Sequence, residues 1–241
     1  MAFYLVGLGL WLDSVSNGAL NALKKCEKVY LDGYTVKFPY SLDELRRSLG
    51  LDFELRGREQ IEDESIVLEA REKDVALMVY GDPLFATTHY QLLVSCNEAG
   101  VKRRVFHNAS VLDAVSLAGL SLYKFGKVTS VPDWRKHTNC PTSFVDYILD
   151  NQKVQAHSLV LFDIGLEFER AVEQIEQAFE KKGFKIREAV LIFCAGTPKE
   201  RVFYGEFEGL KNVRVEEPYC IVIPANLNDF EKRALEEFKV Q

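Results

Sequence analysis

The chain has 241 residues, enough for one large α/β domain or two of ordinary size. Its 47% hydrophobic and 27% charged residues are those of a globular protein with a real core. A net charge of −6 argues against nucleic-acid binding through a generally basic surface, and Lys102-Arg103-Arg104, a candidate local basic patch, reads more readily as a solvated strand end.

In chain order, Phe3 to Leu8 is predicted as a strand rather than a signal peptide, with no basic run before it. Val15, Ala19, Leu20 and Leu23 mark the buried face of a helix, and Val29-Tyr30-Leu31 a second strand. Ser41-Leu42-Asp43-Glu44 forms a capping box, with Tyr40 and Leu45 placed as a hydrophobic staple. Helix is expected over Ile66 to Lys73. The apolar run Val75-Ala76-Leu77-Met78-Val79-Tyr80 then reads as a buried strand ending at Gly81-Asp82-Pro83. Thr87 and Thr88 are N-cap candidates for a helix through Leu92-Leu93-Val94 to Gly100, and Val101 to Phe106 is the next strand. Alternation of this kind implies a parallel sheet covered on both faces.

A new register begins after His107-Asn108-Ala109-Ser110, where Ser110 is expected to cap a helix through Val111, Leu112 and Val115. Val128 to Val131 reads as a strand and Pro141-Thr142-Ser143 as a helix start. Ser158 to Asp163 is a buried strand, followed by an amphipathic helix on Phe168, Ala171, Val172, Ile175, Ala178 and Phe179 that Gly183 stops. Ala189 to Cys194, Arg201 to Phe207 and Cys220 to Ile223 are β-rich. Asn228 and Glu231 complete a capping box for the last helix.

The chemistry converges on a few segments. Gly7-Leu8-Gly9-Leu10 after the first strand suggests a dinucleotide turn, but Leu12 stands where the third glycine of that fingerprint belongs. The pair still permits close backbone approach to a ligand. Asp82 stands either as an acceptor for a ligand's hydroxyls or simply as a turn residue. His89 and His107 fall in loops near the same edge, His107 reading as a structural hydrogen-bonding residue. His137 and Cys140 lack a second pair at ligand spacing, so no metal is expected. Five scattered cysteines without a CxxC pair suit reduced thiols in a cytoplasm, and no apolar run has membrane-spanning length. Walker-type and nucleophile-elbow motifs are absent.

Tyr4 to Leu10, GDPLFATTH (81–89), HNASVLDAV (107–115), GLSLYKFGK (119–127), Pro141 to Asp146 and Leu159 to Ile164 follow one another in an order and spacing that resemble the diphthine synthase family. Gly-Asp-Pro alone points only to the wider tetrapyrrole-methylase fold. The resemblance implies an α/β chain with a parallel-sheet N-terminal domain, 1–112, and a mixed-sheet C-terminal domain, 113–241, with an S-adenosyl-L-methionine cleft between them, usually in a homodimer. It implies methylation of the amino group of a modified histidine on translation elongation factor 2, a step of diphthamide synthesis. Cofactor contacts carry over onto Leu10, Asp82, Phe85, Ser110, Val111 and Phe162, and also onto Phe193 and Tyr219. The second domain reads as shortened between Glu180 and Ala189. No catalytic residue is assigned. Trp134-Arg135-Lys136-His137 is a candidate loop for docking the protein substrate. A tetrapyrrole or ribosomal-RNA methylase, and a non-catalytic binding module, are the alternatives. The LYKF string and the acidic charge speak against the first, and the GDPLFATTH loop against the second.

Overall fold

A computed structural model describes residues 1–240. They divide into two units, Met1–Val111 and the chain from Leu112 onward. In the first unit, β1 (Ala2–Gly7), α1 (Asn17–Leu23), β2 (Lys28–Asp32), α2 (Leu42–Leu49) and β3 (Glu54–Arg56) are followed by α3 (Arg58–Glu62) and α4 (Ser65–Glu69). Then come β4 (Val75–Val79), α5 (Tyr90–Glu98) and β5 (Lys102–Phe106). Every strand pair is parallel, in the order β3-β2-β4-β1-β5.

Alternate residues of each strand feed two separate cores. Phe3 and Leu5 of β1 pack with Ile61, Val67, Leu92 and Cys96 from α3, α4 and α5. Val6 and Leu8 pack with Ala19, Leu23, Leu45 and Leu49 from α1 and α2. The period of two along a strand thus assigns one set of helices to each face. Each fully buried Val, Leu, Ile or Phe among them contributes about 1.5–3 kcal/mol. The chain leaves β1 toward β2 and leaves β4 toward β5, in opposite directions along the sheet. The point where the connections diverge lies between β1 and β4, where α/β sheets open a crevice beyond the carboxyl ends of their strands.

From α6 (Val111–Ala114), whose first residue closes the first unit, the chain runs into β6 (Thr129–Val131), α7 (Ser143–Lys153), β7 (Ser158–Phe162) and α8 (Phe168–Lys181) of the second unit. It continues with β8 (Glu188–Phe193), β9 (Arg201–Glu206), α9 (Phe207–Leu210), β10 (Tyr219–Ile223) and α10 (Asp229–Glu236). Its sheet runs β6-β7-β10-β8-β9 and is mixed: β6 and β7 are parallel, the other pairs antiparallel. The stripe from Phe168 to Phe179 packs α8 onto Val160, Leu191 and Ile221, together with Phe144 and Ile148 of α7.

Three expectations are corrected. Helix over Ile66 to Lys73 ends early, since α4 stops at Glu69 with Ala70 as its C-cap. Thr87 and Thr88 do not cap α5, whose N-cap is His89. The Thr87 hydroxyl donates to Pro83 O (3.0 Å), and Thr88 Oγ1 lies 3.3 Å from the Tyr34 hydroxyl. After Ser110, α6 makes one turn before tightening into a 3-10 turn over 115–118 that ends at Gly119, φ +70°. Positive φ is the usual glycine-borne stop.

The string GLSLYKFGK is architectural. Lys124 Nζ donates to the Glu231 carboxylate and to Asn226 O (2.7 Å). Glu231, whose side chain is 0% exposed, also accepts from Ser121 N (3.2 Å) and Asn228 N (2.9 Å). His157 Nδ1 accepts from Ala225 N (2.9 Å), so its Nε2 carries the proton and faces Glu231 Oε1 at 3.2 Å. A Cβ on Gly126 would overlap Asn151. Asn151 in turn bonds both the N–H and the carbonyl of Lys127 at 2.9 Å.

Burial raises the Glu231 carboxyl, but Lys124, the Asn228 N–H, His157 and the Ser121 N–H outweigh it and bring its pKa to about 2. A carboxyl depressed on folding stabilises the chain above its unfolded range and loses that contribution as pH falls through its folded value. Urea unfolding should therefore show a loss of stability between about pH 4.3 and pH 2 that Glu231→Gln lacks. Glu231→Ala, which takes the carboxylate away from Lys124 and His157, should cost about 3–5 kcal/mol at neutral pH.

Candidate functional site

Three loops meet at the carboxyl edge of the first sheet, after β1, β4 and β5. Gly9 and Gly81, both at φ +72°, clip the first two together. Gly9 N donates to Gly81 O (3.1 Å) and Gly81 N to Gly9 O (3.0 Å). An ideal Cβ on Gly7 would lie 2.7 Å from Gly81 O, and one on Gly9 would lie 2.5 Å from Ser14 Cβ. No larger residue fits between these backbones.

Asn108 ties in the third loop. Its Nδ2 donates to Gly7 O (3.1 Å) and Ser14 O (2.9 Å), while its Oδ1 accepts from Ala109 N (2.8 Å). Asp82, 4% exposed, accepts from Leu84 N (2.9 Å), Asn108 N (3.2 Å) and His107 Nδ1 (2.8 Å). An ionised carboxylate accepts about four hydrogen bonds, and three of them are made here within the protein. The His107 side chain is 66% exposed.

The other candidate residues of this unit fall on the same edge. Leu10 is half-buried, its carbonyl accepting from the Tyr80 hydroxyl (3.0 Å). Phe85 is exposed beside Ala86, which takes φ +53°. Ser110 is buried, and Val111 follows as the first residue of α6. His89, fully buried, sits with Nδ1 3.2 Å from Pro83 O and Nε2 3.2 Å from Asp32 Oδ2. Asp32 also accepts from Tyr34 N (2.8 Å) and the Thr35 hydroxyl (2.6 Å). This buried group braces the loop after β2 against the GDPLFATTH loop, a role that spacing alone did not disclose.

In the second unit, Phe162, Phe193 and Tyr219 come together at one end of the sheet. Tyr219 pairs in register with Phe193, and its ring lies 4.7 Å from that of Phe162. The Tyr219 hydroxyl donates to Leu166 O (2.6 Å), and burial pushes its pKa up. Phe193 stacks on Phe203 at 6.0 Å.

The basic rim expected of Trp134 to His137 is already engaged. Arg135 Nη2 lies 2.7 Å from Asp133 Oδ2 and 3.1 Å from Glu167 Oε2, and Lys136 Nζ lies 3.0 Å from Asp163 Oδ2. Trp134 Nε1 donates to Pro141 O (3.1 Å). All five cysteines are free thiols. Among the described residues, no cluster of three His, Cys, Asp or Glu is arranged to hold a metal ion, and no helix is long and apolar enough to cross a membrane.

Residues 2–211 match the model of the Tetrapyrrole (Corrin/Porphyrin) Methylases. A diphthine synthase of Methanothermobacter thermautotrophicus is 36% identical over 97% of this chain and 94% of its own length. The chain belongs to the diphthine synthase family. It is a methyltransferase. The diphthine methyl ester synthase of Schizosaccharomyces pombe is 32% identical over 92% of this chain and 77% of its own. A diphthine synthase crystal structure superposes with TM-score 0.90 at 33% identity, covering 99% of this chain and 96% of that one.

Because the glycine clip leaves no room for a Cβ at positive φ, Gly9→Ala should destabilise the chain by about 1–3 kcal/mol in chemical denaturation. An unchanged unfolding midpoint would show that the loop relaxes without cost.

Proposed function

We propose that this chain transfers methyl groups from S-adenosyl-L-methionine to the amino group of the aminocarboxypropyl-modified histidine of translation elongation factor 2, giving diphthine in the cytoplasm. The observation that carries the reading is the clipped carboxyl edge of the first sheet, in a chain 36% identical to a diphthine synthase over 97% of its length. The residues fit the group. Glycine at 7 and 9 lets the loops after β1, β4 and β5 close on one another, Leu10, Phe85 and Val111 are proposed to offer apolar contact, and Asp82 to accept from a hydroxyl.

When bound, the cofactor would supply a sulfonium methyl whose carbon an amine lone pair can attack in line, the thioether leaving. Leu10, Asp82, Phe85, Ser110 and Val111 are proposed to hold it, with Phe162, Phe193 and Tyr219 as further contacts implied by the resemblance. Asp82 acts chiefly by fixing the loops after β4 and β5. No protein nucleophile is needed, and holding the two reactants in line can itself lower the barrier by up to about 7–11 kcal/mol. The chain is proposed to act as a homodimer on a folded protein acceptor, without nucleic acid.

The direct test is mass spectrometry of elongation factor 2 carrying the precursor, after incubation with this protein and methyl-deuterated cofactor. Label on the modified histidine is expected, and label on a tetrapyrrole or ribosomal RNA instead would refute the reading. The name of the Schizosaccharomyces pombe relative favours a second product in which one methyl sits on a carboxylate oxygen. Alkali-labile label would report that ester, whereas amine-bound methyl survives alkali. Cofactor at a hundred times its dissociation constant should stabilise the protein by about 2.7 kcal/mol in thermal unfolding. Asp82→Ala should lose most of that stabilisation together with some intrinsic stability, since three donors lose their acceptor.

A further inference from the structure

We propose that His107 is the base that removes the proton from the acceptor amine, its imidazole oriented for that task by the buried carboxylate of Asp82; the inference rests on the methyltransferase reading above. An alkyl amine is mostly an ammonium near neutral pH, and an ammonium has no lone pair with which to attack a methyl carbon. Each transfer to nitrogen therefore needs one proton removed first.

Among the groups at this sheet edge, His107 has the geometry for that step. Its Nδ1 lies 2.8 Å from Asp82 Oδ2. Leu84 N and Asn108 N hold the same carboxylate, and only 3% of the Asp82 side chain is exposed, so the acceptor cannot swing away. The hydrogen of the neutral ring then belongs on Nδ1, which leaves the lone pair on Nε2. With 66% of its side chain exposed, the His107 ring is open to solvent, so a substrate can reach it without the fold opening. Asp82 is the carboxylate facing the ring, and Arg104 of the preceding strand β5 lies over Phe106 at 4.3 Å. The other imidazole at this edge, His89, is fully buried with both nitrogens against Pro83 O and Asp32, and cannot meet a substrate. An oriented imidazole with one free nitrogen is the arrangement by which a carboxylate fixes a general base.

The step balances. Nε2 of His107 takes one N–H proton from the ammonium, whose bonding pair becomes the amine lone pair. That pair forms the new N–C bond while the S–C pair stays on sulfur, which loses its positive charge. The methylated nitrogen carries the charge onward, and the imidazolium returns its proton to water before another transfer.

The test compares single-turnover methyl transfer to the modified factor, across pH, for the parent protein, His107→Asn and His107→Gln, with cofactor affinity measured in parallel by calorimetry. An Asn amide can still donate to Asp82 but cannot accept the proton. Both variants should bind cofactor like the parent and transfer about 10²–10⁴-fold more slowly near neutral pH. That deficit should shrink at alkaline pH, where the amine loses its proton unaided, and added imidazole should partly rescue a third variant, His107→Ala, whose missing ring leaves room for it. Parent-like transfer by the variants near neutral pH overturns the role of His107 alone. So does a deficit that saturating cofactor abolishes, which makes His107 a binding residue. A parent protein that labels no modified factor overturns the proposed acceptor, and the proton-removing role of His107 falls with it.

Discussion

The reciprocal hydrogen bonds between Gly9 and Gly81 hold together the two loops on which the site depends. They form only because both residues take φ +72°, a conformation glycine adopts without steric cost. Asn108 then joins the third loop to the backbone of the first, and Asp82 joins it to the second. All three loops leave strands β1, β4 and β5, which are adjacent in the sheet, so a small number of polar bonds fixes the whole edge. Because these bonds lie within the protein, the edge is organised before any ligand arrives, which lowers the ordering cost of binding.

The same economy governs the second unit. Glu231 gathers Lys124, His157 and two backbone N–H groups around one fully buried carboxylate. Removing any one donor leaves the charge less well compensated in a medium where it cannot be hydrated. The string from Leu122 to Lys127 is thereby committed to architecture, although Tyr123 itself stands fully in solvent. Arg135 and Lys136 likewise pair with Asp133, Glu167 and Asp163, while their side chains stay about half exposed.

Much of the fold was legible because its signals are local. The capping boxes at Ser41 and Asn228 form as spaced, and the stripe on α8 and the run from Val75 to Val79 announce their own elements. The alternation of strand and helix implied the parallel sheet, and the mixed sheet followed from the family resemblance. Short elements were less legible. Nothing periodic marks β3 over three residues, and the end of α4 at Ala70 is a contest of weak propensities. The threonines after Phe85 looked like caps, but Pro83 O and Tyr34 offered their hydroxyls other partners. At the site, GDPLFATTH and HNAS could be read as loops at one edge. That Asp82 would turn inward to His107 and Asn108 could not, because those partners lie 25 and 26 residues away in the chain.

Amide hydrogen exchange with and without S-adenosyl-L-homocysteine, the demethylated cofactor, measures the central claim most directly. Ligand-dependent protection is expected in the first unit only in the segments around Gly7–Leu10, Gly81–Ala86 and His107–Val111, with the helical faces of that unit unchanged. Protection absent from all three loops, with binding established by calorimetry, would contradict that claim.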